Sequence, residues 1–327
     1  MALLATGALA QLSPFNGAAL GPIDSTGHYR VIIGGHFHGE STNRSGYPAS
    51  TVLANLDTIN SLGADLFLST GDLYMDARAD SARYARSLFR KLQVPFFNAP
   101  GNHDARLRGT DQIVLRTGSD HVLVFDTEAR DGSLSSEQLE VLRAIGDPLT
   151  DQPTTRVFIL CHRPVWAEGD PAYSDLFIDN TRSALGTNFK KEVYPIIQRI
   201  AERAHVYWIS GSLGGQAPSS IFFQEHAPNI TYIQCAVRDE PRDALLIADV
   251  FPDRVDWSAL SLTGQQLQRP ETYDAAWWRT QRSSGGEDFN WRLLPYLVKN
   301  TVLRSEFWWG AAFSLLLLGL VRRLLRR

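Results

Sequence analysis

Cysteine is scarce in this chain: its 327 residues hold two, Cys161 and Cys235, each inside an apolar run that reads as a strand. That excludes a disulfide framework and predicts two buried thiols, with a single bridge as the alternative. An excess of positive charge is lacking too. The net charge of −3 leaves no basic footprint for nucleic acid. No internal repeat and no low-complexity block is present, so the chain does not read as an array. What remains is 44% hydrophobic and 20% charged, enough for one large α/β domain with appendages.

The body reads as alternating strands and helices. His28–Ile33 is a first predicted strand, followed by Gly34-Gly35-His36-Phe37-His38-Gly39. Two histidines at i and i+2 on an extended chain point the same way. Val52, Leu56, Ile59 and Leu62 recur at helical spacing and stop at Gly63. A second strand, Leu66–Thr70, runs into Gly71-Asp72; a helix over Ser81–Leu92 leads to a third, Val94–Phe97. Ser135-Ser136-Glu137-Gln138 resembles a capping box, and Arg156–Cys161 is a strand ending at His162-Arg163-Pro164. After an amphipathic helix over Phe189–Ala204 and a strand at Val206–Ser210, short strands follow without helices: Ser220–Phe223, Ile230–Ala236, Ala244–Val250 and Arg254–Leu260. That order predicts two packed sheets flanked by helices.

The polar residues fall in a pattern. His36, His38, Asp72, Asn102, His103 and His162 all stand just past predicted strand ends, the edge where open α/β sheets bind ligands. In Gly101-Asn102-His103-Asp104, the asparagine offers a hard oxygen ligand and the histidine titrates near neutral pH. The aspartate is placed to orient that imidazole. A polar turn is the plain alternative for any one of these loops; four such strand ends together point to a metal site.

Gly71-Asp72, Gly101-Asn102-His103-Asp104 and Cys161-His162-Arg163-Pro164, in this order, resemble the motifs of the calcineurin-like metallophosphoesterases. Phe125-Asp126-Thr127 and Leu134–Leu139 resemble a further stretch of that family. The resemblance covers Tyr29 to Leu260. It implies an α/β fold of two packed mixed β-sheets flanked by helices, a four-layer sandwich. It also implies hydrolysis of phosphomonoesters or phosphodiesters by metal-activated water at a two-cation site. Carried over, Asp72 bridges the metals, His38 binds the first, and Asn102 and His162 bind the second. His103 then acts on the leaving group, with Asp104 behind it.

Two departures follow. Where the family has Asp-x-His, this chain has His36-Phe37-His38, which keeps a ligand type but shifts preference from manganese toward zinc or iron. Where the family has Gly-His-x-His, this chain has Gly211-Ser212-Leu213-Gly214, so each metal loses a partner. The expected cofactor is one or two divalent transition-metal ions, iron, zinc or manganese. The alternative function is a catalytically silent scaffold that binds a phosphate ligand or a partner protein. Gln216, Glu225 and His226 are the downstream residues able to replace the lost ligands.

The termini have a different composition. Residues 1–27 form an apolar leader, read equally as an export-signal remnant or a plain extension. The body spans 28–262, and 263–306 reads as a linker and juxtamembrane segment with Trp277 and Trp278 as interface anchors. Residues 307–327 contain the uncharged run Phe307–Val321, flanked by Trp308 and Trp309 and by Arg322, Arg323, Arg326 and Arg327. This predicts a single-pass C-terminal transmembrane helix with a cytoplasmic arginine end. The body is then periplasmic or extracellular.

Overall fold

The computed structural model of the chain describes residues 11–22, 26–104, 112–147, 154–181, 186–214, 216–281, 302 and 305–324. The strands are β1 (Tyr29–Gly34), β2 (Leu66–Ser69), β3 (Phe96–Asn98), β4 (Gln112–Thr117), β5 (Asp120–Phe125) and β6 (Arg156–Cys161). They continue with β7 (His205–Ser210), β8 (Ile221–Ala227), β9 (Ile230–Cys235), β10 (Ala244–Val250) and β11 (Val255–Ser261). One sheet has the order β11-β10-β1-β2-β3 and the other β4-β5-β6-β7-β9-β8. Both are mixed. The strands β1, β2 and β3 are parallel, as are β5, β6, β7 and β9, while β10, β11, β4 and β8 pair antiparallel.

The period-two alternation of the strands decides what each face covers. Along β1, Val31 and Ile33 enter the apolar cluster shared by both sheets. Ile32 between them enters a second cluster with Val52, Leu56, Ile59 and Tyr84. Those residues belong to helices α1 (Ser50–Ala54), α2 (Leu56–Ser61) and α3 (Ala77–Ser87). On the far side of the second sheet, α4 (Ser136–Gly146) contributes Leu139 and Leu142, and α6 (Tyr194–Ala201) contributes Ile196, Ile197 and Ile200; α5 (Ser174–Thr181) precedes α6. The expected architecture, two mixed sheets flanked by helices, is thus what the chain adopts. At the N-terminal ends of β1 and β6 the sheets are tied by a buried polar group. Asp120 accepts from the Tyr29 hydroxyl at 2.7 Å and from Arg156 Nη1 at 3.1 Å.

Local signals hold at some positions and yield to tertiary contacts at others. The capping box is present: the Ser135 hydroxyl accepts from Gln138 N, and Gln138 Oε1 accepts from Ser135 N at 2.8 Å. The single helix expected through Val52 and Leu62 is instead α1 and α2, divided at Asn55, whose amide donates to the Leu262 carbonyl at 2.8 Å. The hairpin β4–β5 was not expected, because β4 leaves alternate residues exposed and its apolar run is only three residues, Ile113–Leu115. Both cysteines are free and buried.

The segment expected to be a linker from 263 is folded onto the body as far as Gln281. There α7 (Ala275–Gln281) buries Trp278 to 1% exposure, and its indole N–H donates to the Ile221 carbonyl at 3.1 Å. Trp278 therefore anchors within the chain. Residues 1–10 of the leader and 282–301 of the linker lie outside the described residues.

The C-terminal unit carries α8 (Ser305–Leu324), with Trp308, Trp309, Phe313, Leu315, Leu316, Leu317, Leu318, Leu320 and Val321 exposed. Among the described residues, no helix is long and apolar enough to cross a membrane. The expected spanning helix over 307–327 is to that extent corrected. Arginines follow the apolar run at once, so the part free of charge is short.

Candidate metal centre

The site forms where the C-terminal ends of strands from both sheets meet. Beyond β1 and β2 the backbones stay zipped: His36 N donates to the Gly71 carbonyl at 2.7 Å and Thr70 N to the Gly34 carbonyl at 2.8 Å. His36 and Asp72 sit in the left-handed region at φ 60° and 54°, uncommon for residues with a side chain. Such strain persists where the surrounding structure demands it, and it gathers at functional sites. The i, i+2 expectation for His36 and His38 reached the right outcome by the wrong route. Both lie past the end of β1, and the bent loop, not the pleat, brings them together.

Three imidazoles converge on one oxygen. Asp72 Oδ2 lies 3.6 Å from His36 Nε2, 3.7 Å from His38 Nε2 and 3.4 Å from His162 Nε2. His36, His38 and Asp72 are buried, with ligand atoms all within 4.8 Å of one another. The outer nitrogens of two rings are anchored to backbone carbonyls: His36 Nδ1 to Gly39 at 3.0 Å and His162 Nδ1 to Thr70 at 2.9 Å. A carbonyl only accepts, so each Nδ1 carries the proton and Nε2 is turned inward. Both nitrogens of His38 and Nε2 of His162 are buried without a hydrogen-bond partner.

The charges agree with a cation site. Burial pushes the Asp72 carboxyl up, but His162, His38 and His36 together hold it well below the usual carboxylate range. Burial and the neighbouring His38 lower His36, leaving its inward nitrogen an unprotonated donor. Burial works against the charged form of His162, yet the Asp72 carboxylate lifts it to about 9. A buried carboxylate ringed by imidazole nitrogens, several without partners, is what a divalent transition metal requires. The donor set fits such an ion.

The remaining expected residues divide. His103 belongs to the site: its backbone N–H donates to Asp72 Oδ1 at 3.1 Å and its ring centre lies 5.0 Å from that of His38. Its ring is oriented by the Met75 carbonyl, 3.1 Å from Nδ1. The expectation that Asp104 stands behind His103 is therefore corrected. Asp104 accepts from Leu73 N (3.0 Å), Gly101 N (3.0 Å), Tyr74 N (3.4 Å) and the Asn98 amide (3.2 Å). It braces the two ligand loops against each other. Burial first, and then the charge of Asp72, push its carboxyl up to about 6. Asn102 is exposed, and its carbonyl oxygen accepts from Arg163 Nη2 at 3.3 Å. Arg163 in turn is paired two-fold with Glu128 at 2.8 and 3.0 Å.

The glycines of the motifs are steric requirements. A Cβ on Gly71, at φ 98°, would lie 2.7 Å from both the Ala99 carbonyl oxygen and His162 Nδ1. Among the described residues downstream, no replacement for the lost histidines joins Asp72. Gln216 and Glu225 are exposed, and His226 is held between the Tyr173 and Tyr194 hydroxyls at 2.8 and 3.1 Å. Ser212 nevertheless keeps the left-handed backbone, φ 56°, that His36 and Asp72 share. Sequence reasoning passed over Met75, Thr70 and Gly39, which act through backbone carbonyls and leave no side-chain signal.

Residues 47–193 match the calcineurin-like phosphoesterase family model. Over these residues the chain is similar to the calcineurin-like phosphoesterases, a class of metal-dependent phosphoric ester hydrolases. The matched stretch holds Asp72, His103 and His162 and stops short of both altered motifs. Among solved structures, a dimetal phosphatase from Danio rerio is similar at a TM-score of 0.51 and 14% identity, over 74% of this chain and 97% of that one. A cold-active protein-tyrosine phosphatase from a Shewanella species is similar at 0.34 and 12%, over 77% and 83%. A predicted phosphoesterase from Streptococcus pneumoniae is similar at 0.35 and 14%, over 72% and 90%. The search of curated proteins gave no match.

Proposed function

We propose that this chain hydrolyses a phosphomonoester or phosphodiester with a divalent transition metal held by His36, His38, Asp72 and His162. The observation that carries the reading is the convergence of three buried imidazoles on Asp72 Oδ2. When bound, the metal supplies Lewis acidity toward the phosphoryl oxygens and an activated water. The chain supplies the rest. Carbonyls of Gly39 and Thr70 aim the ligand rings, and Asp104 keeps the loops in register. His103, whose Nδ1–H donates to the Met75 carbonyl, leaves Nε2 as the nitrogen for proton exchange with the leaving oxygen. Asn102 stands at the rim, held by Arg163. The imidazole-rich donor set suits zinc or iron better than manganese.

The experiment is elemental analysis of the purified full chain beside an aryl phosphate assay, before and after chelation. One or two metals per chain are expected, with turnover lost on chelation and restored by zinc, iron or manganese. No metal and no turnover would overturn the reading. A second reading, the silent scaffold, is favoured by one observation, the absence of ligating side chains at Ser212 and Gly214; that same null result would establish it.

The reading extends to a membrane. The exposed apolar side chains of α8, ending in Arg322 and Arg323, support attachment of that helix to a bilayer surface. The full chain is expected to co-sediment with phosphatidylcholine vesicles, and a Leu316→Asp, Leu317→Asp variant to stay in the supernatant. Equal recovery of both would remove the membrane from the reading.

A further inference from the structure

The loop that lacks the family's last pair of histidines is held by an arginine. Arg238 follows β9, whose C-terminal end lies beside that of β7. Its neighbour Val237 donates its N–H to the Gly35 carbonyl at 3.0 Å, one residue from His36. Arg238 Nη1 donates to the Leu213 carbonyl at 3.1 Å, between Ser212 and Gly214. The guanidinium thus stands between the loop carrying His36 and His38 and the loop where histidine is missing.

This arginine is short of acceptors. Its side chain is 13% exposed, and Nε has no hydrogen-bond partner. The nearest carboxylate, Glu240, lies 3.7 Å from Nε and is itself held by Arg242 Nε at 2.7 Å. A guanidinium has five N–H donors, and among the described residues the Leu213 carbonyl is the one hydrogen-bond acceptor it meets. A half-buried cation in that condition offers free donors to an anion with several acceptor oxygens. Burial lowers its pKa, in keeping with that incomplete solvation.

Resting on the hydrolase reading above, we infer that Arg238 binds the phosphoryl oxygens of the substrate at the place where Ser212 and Gly214 leave the metal ligands incomplete. A guanidinium is always charged and matches phosphate with two parallel N–H donors. It therefore supplies positive charge where the chain offers fewer metal ligands. No bond is made or broken by it; Arg238 is a binding residue.

The test uses the full chain and inorganic phosphate as probe, in the parent, Arg238→Gln and Arg238→Lys. Calorimetry reads phosphate affinity, elemental analysis reads metal content, and an aryl phosphate assay separates KM from kcat. Arg238→Gln is expected to weaken phosphate binding and raise KM by about tenfold or more, with metal content and thermal midpoint as in the parent. Lysine, a point charge without the fork, should restore part of the loss. Phosphate affinity within twofold of the parent overturns the inference, as does loss of metal in step with phosphate, which would make Arg238 a brace. A parent that does not bind phosphate also overturns it. A parent that binds phosphate through Arg238 without turnover upholds the inference and overturns the hydrolase activity alone.

Discussion

Asp72→Asn is expected to strip the site of metal and to lower phosphoesterase activity by at least about a hundredfold. Changing a group that merely orients a metal ligand costs roughly 10- to 100-fold, and Asp72 is the oxygen on which three imidazoles converge. Asparagine keeps the shape, and its carbonyl can still accept from His103 N, so the loop survives. The negative charge is lost, and with it the carboxylate that offsets the burial of His162. In the metal-free protein the variant should be less stable than the parent at neutral pH, because a carboxylate held below its usual range by the surrounding imidazoles stabilises the fold there. Elemental analysis and the aryl phosphate assay measure the first effect, and thermal unfolding in chelator the second. Full metal content with activity within tenfold of the parent would remove Asp72 from the centre of the site.

The second large effect is expected at Asp104, and it is structural. Asp104→Ala deprives Leu73 N, Tyr74 N, Gly101 N and the Asn98 amide of their common acceptor. Each buried donor left unmet costs about 1–3 kcal/mol, and entering water recovers part of this. A loss of about 3 kcal/mol or more in denaturant unfolding is therefore expected, with metal affinity falling as the loops part. Asp104→Asn should lose less, since one oxygen still accepts. Had Asp104 oriented the His103 ring, Asp104→Asn would change the pH–rate profile and leave stability alone. The structure predicts the reverse, a lower unfolding midpoint with the shape of the profile unchanged.

The fold was legible because its signals are local. The short apolar runs of β1, β6 and β10, the capping box at Ser135 and the strand-end placement of Gly71-Asp72 and Gly101–Asp104 are each decided within a few residues. The hairpin β4–β5 was not legible, since half of β4 faces solvent. Neither was α7, whose burial depends on β8 for a surface to pack against.

The site divides in the same way. Sequence alone singled out His36, His38, Asp72 and His162, which the structure brings together, because imidazole and carboxylate at strand ends have few other uses in combination. It also determined that the final motif has lost its histidine ligands, since Gly214 has no side chain and Ser212 offers only a poor one. Tertiary structure decided the roles. Asp104 follows His103 in the chain yet braces Leu73, and Arg238 stands 25 residues beyond Leu213 yet donates to its carbonyl. The reason is physical: a residue type fixes which bonds a side chain can make. Which partner is within 3 Å depends on how β1, β2, β6, β7 and β9 bring their ends together.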